Sequence, residues 1–309
     1  MKKTCFLFAG QGSQYPGMGR ELVALFPELS RIYQVGSDIL GFDLEKACFE
    51  SGAEELAQTE VSQPAIMATS LVAFEAVKTL GLTADAASIA FAGHSLGEYA
   101  AMAAAGMLSL EDAFRVIKAR AHAMGECARK NDGAMAAVMA EAPLIEEVCE
   151  KAAGYVVPVN YNSPAQTVIA GECAAVDAAI EEFSALGKRC VKLAVSSAFH
   201  SKFMEPAAQE LKSAVAKVSF AVPTSAFYSN LTGGKLEAFD RMPDYLAAHL
   251  TSPVRFVDEL NAIRADGTER FIECGPGKVL TGLVRKTLDG TENFNVENEK
   301  TFRKLQESL

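Results

Sequence analysis

The 309-residue chain carries 29 Lys and Arg against 39 Asp and Glu, a formal net charge of −10, and half of its residues are hydrophobic. This is the composition of a folded globular protein and excludes a disordered or collagenous chain. The acidic balance argues against nucleic acid or an anionic membrane as a partner, and the length allows one large domain or a large one with a satellite.

Seven cysteines (5, 48, 127, 149, 173, 190 and 274) stand well apart, with no CxxC and no Cys/His cluster. That spacing gives neither a zinc site nor a disulfide framework. The apolar run 5–9 after Met1-Lys2-Lys3 is too short for a signal peptide core, and the alanine-rich stretch 99–108 is too short to span a membrane. A cytoplasmic location is expected.

Residues 4–9 read as a short buried strand that runs into the turn Gly10-Gln11-Gly12-Ser13, and helical patterns follow at 18–26, 28–40 and 65–80. A second apolar strand, 88–92, leads directly into Gly93-His94-Ser95-Leu96-Gly97, after which 98–107 is strongly helix-forming. Such alternation belongs to α/β folds with a parallel sheet. The middle of the chain reads differently: strand 134–140, helix 143–153, strands 156–161 and 166–170, helix 174–186, strand 188–195. The order β-α-β-β-α-β is the ferredoxin-like unit. It is inserted, because strands at 227–229 and 270–274 resume the first pattern. The expected division is 1–129 with 198–309 as the large domain, and 130–197 as the small one.

Gly93-His94-Ser95-Leu96-Gly97 fits the G-x-S-x-G nucleophile turn, in the strand–turn–helix context that this motif requires. It would lift Ser95 clear of both elements and leave the N–H of Leu96 at a helix N-terminus, where an oxyanion binds. A serine nucleophile needs a base, and four histidines exist: His94, His122, His200 and His249. His94 should project away across the turn, and His122 falls inside a helix. His200 lies in the loop after the insert's last strand and is the expected base, with His249, just ahead of Ser252-Pro253, as runner-up. No acid stands out as a third member. Asp177, Glu181 and Glu182 fall on the insert's helix and Glu205 follows His200 closely, so a backbone carbonyl is an equal candidate for fixing the tautomer.

Residues 109–128 form a predicted helix opened by Ser109-Leu110-Glu111-Asp112, which resembles a capping box. Arg120 interrupts its apolar stripe of Ala113, Val116, Ile117, Met124 and Cys127. A buried guanidinium must find an anion: either a distant Asp or Glu, or a substrate carboxylate that its planar fork would suit. The two glycine-rich turns do not carry nucleotide motifs. Gly10-Gln11-Gly12 lacks the third glycine of a dinucleotide fingerprint, and Gly275-Pro276-Gly277-Lys278 lacks the Walker spacing.

Taken together these segments resemble the malonyl-CoA:acyl carrier protein transacylase family. The resemblance rests on Phe8-Ala9-Gly10-Gln11-Gly12-Ser13-Gln14, Gln63-Pro64-Ala65, Gly93-His94-Ser95-Leu96-Gly97-Glu98, Arg120, Gly133-Ala134-Met135-Ala136-Ala137, Asn160-Tyr161-Asn162-Ser163-Pro164, Ala198-Phe199-His200-Ser201 and Gly275-Pro276-Gly277-Lys278, in order over nearly the whole chain. It implies an α/β-hydrolase-like core with a ferredoxin-like insert, Ser95 as the acylated nucleophile and His200 as its base. It further implies an oxyanion hole from the backbone N–H groups of Gln11 and Leu96, and Arg120 on the malonyl carboxylate. The substrates would be malonyl-CoA and the phosphopantetheine thiol of acyl carrier protein, with no bound cofactor or metal and a monomeric enzyme; Ala198-Phe199-His200 resembles malonyl-selective members.

Two positions depart from the pattern. His249 stands where the family shows glutamine, whose backbone carbonyl orients the catalytic histidine. Lys202 replaces a proline or apolar residue and faces the carrier protein on this reading. Docking of an acidic carrier protein onto an acidic chain would need a local basic cluster, for which Lys188, Arg189, Lys192, Lys202, Lys278, Arg285 and Lys286 are the candidates. A serine hydrolase built on the same turn is the competing class; Arg120 and the lack of a late acid argue against it.

Overall fold

The computed structural model describes residues 2–195 and 197–309. Its strands are β1 (Thr4–Phe8), β2 (Ile89–Gly93), β3 (Ala134–Met139), β4 (Val156–Ser163), β5 (Gln166–Gly171), β6 (Arg189–Lys192), β7 (Ala226–Ser229), β8 (Gly234–Lys235), β9 (Arg270–Cys274) and β10 (Glu292–Val296). Six of them form one sheet in the order β10-β9-β1-β2-β7-β8, parallel except for the β7–β8 pair. The α/β class with a parallel sheet is therefore as expected.

Parallel strands covered by helices on both faces must be apolar at every position, and β1, Thr-Cys-Phe-Leu-Phe, is buried throughout. Alternate side chains feed separate cores. Phe6 and Phe8 pack with Phe74 and Phe91 on one face; Cys5 and Leu7 join Ala90, Ala92, Phe256 and Phe271 on the other.

The second sheet runs β4-β5-β3-β6 and is antiparallel, with the connectivity of a ferredoxin-like unit. The helices Ala142–Lys151 and Cys173–Ala185 cover one face through Ile145, Val148, Val176 and Phe183. Met135, Ala137, Val168 and Ala170 on the other face pack against Ala198, with Phe199 and Phe203 beside it. That face holds the segment carrying His200. The edge of the small sheet is also joined to the link that follows the helix Met242–Thr251: Val254 donates to the Val159 carbonyl and accepts from the Tyr161 N–H, at 2.8 and 2.9 Å.

Several boundaries differ from expectation. The helix expected over 65–80 spans Thr59–Lys78 and runs through Pro64, whose missing N–H would have bonded only to Glu60 near the helix start. The insert's last strand is four residues, because only Arg189–Lys192 pairs with β3. Strand β10 and the helices Met242–Thr251, Phe256–Ala265, Val279–Thr287 and Glu299–Glu307 were not among the expected elements. Ser109 does cap its helix, accepting from the Asp112 N–H at 3.0 Å. No described helix is long and apolar enough to cross a membrane.

Candidate active site

The turn after β2 is made by close packing as much as by glycine flexibility. A Cβ on Gly97 would lie 1.9 Å from the Phe8 carbonyl oxygen, and one on Gly93 would lie 2.2 Å from the Gly97 carbonyl carbon. Neither position has room for a side chain. Between them Ser95 adopts φ +52°, a left-handed conformation that costs a non-glycine residue on the order of 1–2 kcal/mol. Asn230, fully buried just after β7, holds this turn. Its Oδ1 accepts from the Ser95 N–H and its Nδ2 donates to the Gly93 carbonyl and to Glu259 Oε2, each at 2.6 Å.

Ser95 and His200, 105 residues apart, meet here. The Ser95 hydroxyl lies 2.7 Å from His200 Nε2. His200 Nδ1 donates to the carbonyls of His249 and Ser252, both at 3.1 Å, so the proton sits on Nδ1 and Nε2 is the acceptor. Among the described residues no carboxylate orients the ring. The His249 carbonyl is free for a reason visible in the sequence: its intrahelical partner would be the N–H of residue 253, which is Pro253. Both carbonyls lie at the C-terminal end of the helix Met242–Thr251, where the helix dipole favours positive charge. Burial, and then the neighbouring His249, Arg120 and His94, push the His200 pKa well below its ordinary value.

Arg120 lies on the buried face of the helix Leu110–Lys130 and is 1 % exposed. Among the described residues no carboxylate lies within 4.0 Å of its guanidinium, so the structural ion pair considered from the sequence is not formed. The guanidinium sits 4.9 Å from the centre of the Tyr99 ring, and Nη2 donates to Ser95 Oγ at 3.2 Å. Nε and Nη1 have no hydrogen-bond partner among the described residues. A buried cation with two idle donors beside a serine hydroxyl is a site for an anion.

The other expected residues fall as follows. Gln11 lies in the loop after β1, where its side chain meets Gln63 at 3.5 Å, and Leu96 immediately precedes the helix Gly97–Ala104. Among the described residues neither backbone N–H donates a hydrogen bond. His94 points to Asn162, with Nε2 2.8 Å from Oδ1, and makes no hydrogen bond to Ser95. His122 is on the surface beside Glu210. Asp177 pairs with Lys192 on the insert. Lys202 lies over the Tyr155 ring, 3.8 Å from its centre.

The sequence reading missed the polar layer behind the site. Asn230, one residue past the expected strand 227–229, was not singled out. Glu98 was seen only as part of the serine motif, and Glu259 and Tyr245 gave no signal. In the structure Glu98 is completely buried, 2.7 Å from His249 Nε2 and hydrogen-bonded to Tyr245.

Residues 5–303 match the acyl transferase domain family. The chain is 38 % identical to the malonyl CoA-acyl carrier protein transacylase of Bacillus subtilis (strain 168), over 100 % of this chain and 98 % of that protein. The crystal structure of the enzyme of that name from Clostridium perfringens superposes with a TM-score of 0.93 at 36 % identity, covering 99 % of this chain and 96 % of the other. A type II polyketide malonyl-transacylase, solved in complex with its acyl-carrier protein, gives 0.93 at 32 % identity over 99 % of this chain and all of the other. With a fold, a serine turn and a sequence that agree along their whole length, this chain belongs to the malonyl-CoA:acyl carrier protein transacylase family of acyl transferases.

Proposed function

We propose that this protein transfers the malonyl group of malonyl-CoA to the phosphopantetheine thiol of acyl carrier protein, in fatty acid or polyketide synthesis, through an ester on Ser95. The observation that carries the reading is the convergence on one atom: Ser95 Oγ lies 2.7 Å from the base nitrogen of His200 and 3.2 Å from a buried, otherwise unpaired guanidinium of Arg120.

In the first half-reaction His200 Nε2 takes the Ser95 proton as Oγ attacks the thioester carbonyl. The N–H groups of Gln11 and Leu96 receive the oxyanion, and the imidazolium is held by the carbonyls of His249 and Ser252. The C–S bond breaks, the proton passes to the leaving sulfur, and coenzyme A departs. The carrier protein's thiol then gives its proton to His200 and attacks the malonyl-serine ester, restoring the Ser95 hydroxyl as it is expelled. Arg120 grips the malonyl carboxylate throughout, which selects a dicarboxylic acyl group over a neutral one.

The proposal takes 1–129 with 198–309 as the catalytic body and 130–197 as the small one, and a monomer in the cytoplasm. Intact-mass spectrometry tests the chemistry. Malonyl-CoA alone should add one malonyl mass, which pantetheinylated carrier protein should remove and water should not. Ser95→Ala should abolish the adduct; an undiminished adduct in that variant sinks the assignment, and rapid loss to water would favour a hydrolase.

A further inference from the structure

The two halves of the dyad are supported from different places. Ser95 opens the helix Gly97–Ala104, whereas the His200 ring hangs on carbonyls at the end of the helix Met242–Thr251. Glu98, three residues after Ser95, joins those two supports. Its Oε2 lies 2.7 Å from His249 Nε2, a close polar contact without the alignment of a hydrogen bond, and its Oε1 accepts from the Tyr245 hydroxyl, one turn earlier on the same helix as His249. The Tyr245 oxygen is in turn 2.7 Å from Ser229 Oγ, at the end of β7. Glu98 and His249 are 0 and 1 % exposed, so the carboxylate has no solvent to stabilise it and depends on these contacts.

The same residue therefore meets the catalytic base at one end and the serine helix at the other. The His249 ring is wedged between the His200 ring, 5.6 Å away and nearly perpendicular, and the Tyr99 ring at 5.8 Å. We propose that His249 is a positioning residue whose imidazole, anchored on Glu98, ties the carbonyl that holds His200 to the helix that carries Ser95. The proposal rests on Ser95 and His200 being the nucleophile and base. Rotation of the His249 backbone would move its carbonyl off His200 Nδ1, and the contact with Glu98 opposes that rotation. The effect belongs to the proton-transfer step and not to substrate binding, because neither side chain reaches Ser95 Oγ or the Arg120 guanidinium.

Three variants and two measurements test this. His249→Ala removes the tie and should lower kcat for malonyl transfer on the order of 10–100-fold, the effect of a slightly misplaced base. The KM for malonyl-CoA should stay within about two-fold. His249→Gln keeps a polar group of similar reach toward Glu98 and should recover most of that loss. Because His249→Ala leaves a buried carboxylate unpaired and risks misfolding, the double variant Glu98→Leu with His249→Leu supplies a charge-free interior; it should fold and still show the lowered kcat. Its His200 Nδ1 proton, observed by NMR, should exchange faster than the parent's. A folded double variant with parental kcat and parental proton exchange overturns the proposal, as does His249→Gln performing no better than His249→Ala. If the parent protein itself takes up no malonyl group, the failure lies with the Ser95 reading instead.

Discussion

The Arg120 guanidinium donates to Ser95 Oγ across 3.2 Å, while two of its nitrogens have no partner among the described residues. The contact with serine is a poor match for a full positive charge, and a carboxylate bound alongside would satisfy the idle donors. Arg120→Ala should therefore lower malonyl transfer by about 2–5 kcal/mol in transition-state stabilisation, measured as kcat/KM. Acetyl transfer should survive or rise relative to it. An equal fall for both acyl groups would return Arg120 to a purely structural role.

The pH dependence follows from the surroundings of His200. Burial, followed by His249, Arg120 and His94, pulls its pKa well below 6.5. A base with a lowered pKa stays unprotonated further into acid, so the acid limb of the kcat/KM profile should lie below pH 6.5. The stability effect has a definite sign: below the ordinary pKa the unfolded histidine binds a proton that folded His200 does not. This group's contribution to stability should accordingly fall as pH drops through that window. Parallel pH–rate and pH–melting series check both.

Asn230 clamps the serine turn with two hydrogen bonds at 2.6 Å and is itself held by a third, to Glu259. Asn230→Ala leaves the Gly93 carbonyl unpaired and frees a strained φ to relax. We expect a loss of about 1–3 kcal/mol in stability, read by denaturant unfolding, together with slower acylation of Ser95. Acylation at the parental rate in the folded variant would show that the turn holds itself.

Glu259 carries the opposite pH signature. Burial, and next the charge of Glu98, push its carboxyl well above the ordinary 4.5, so the folded protein keeps a proton that the unfolded chain releases. That contribution is present at low pH and is lost as pH rises through the folded pKa. Glu259→Gln keeps an acceptor for Asn230 Nδ2 and cannot ionise. It should be more stable than the parent by about 1 kcal/mol, with the gap widening toward alkaline pH in thermal melts.

Carrier-protein docking is tested at the surface. Lys192 is already paired with Asp177, and Lys202 lies over Tyr155 beside the His200 loop. Charge reversal at Lys202 and Lys286 together should raise the KM for carrier protein and flatten its salt dependence. Acylation by malonyl-CoA should be nearly unchanged. Equal damage to both half-reactions would mean a disturbed active site.

Much of this was legible from local pattern. Strand β9 begins and ends at the expected 270–274, and the parallel sheet followed from the alternation of strand and helix patterns that starts with the buried β1. The meeting of Ser95 and His200 was readable because a sharp strand–turn–helix signature and a short list of histidines left few choices. The layer behind them was not. Asn230, Glu98 and Glu259 act through contacts between residues 29 to 147 or more positions apart, which no periodicity encodes. Arg120 was an intermediate case: its stripe showed burial, but only the fold shows that no carboxylate meets it. Pro253 was a signal overlooked, since a proline four residues after His249 announces a carbonyl with no helical donor.

The edge join at Val254 has a mechanical consequence. Ser95 is carried by the large sheet, whereas the segment that carries His200 packs against the small one through Ala198 and Phe199. That segment thus lies along a seam between the large body and the small sheet, and the 2.7 Å contact of His200 with Ser95 depends on the seam staying closed. Strand β4 rivets it twice, through Val254 just beyond Ser252 and through Asn162 on His94. On the proposed mechanism, a slip of about 1 Å along the seam would cost on the order of 100-fold in rate without altering Ser95 or His200. Stiffness along this seam is therefore as much a requirement of the chemistry as the serine itself, and loosening β4 would slow the enzyme from a distance.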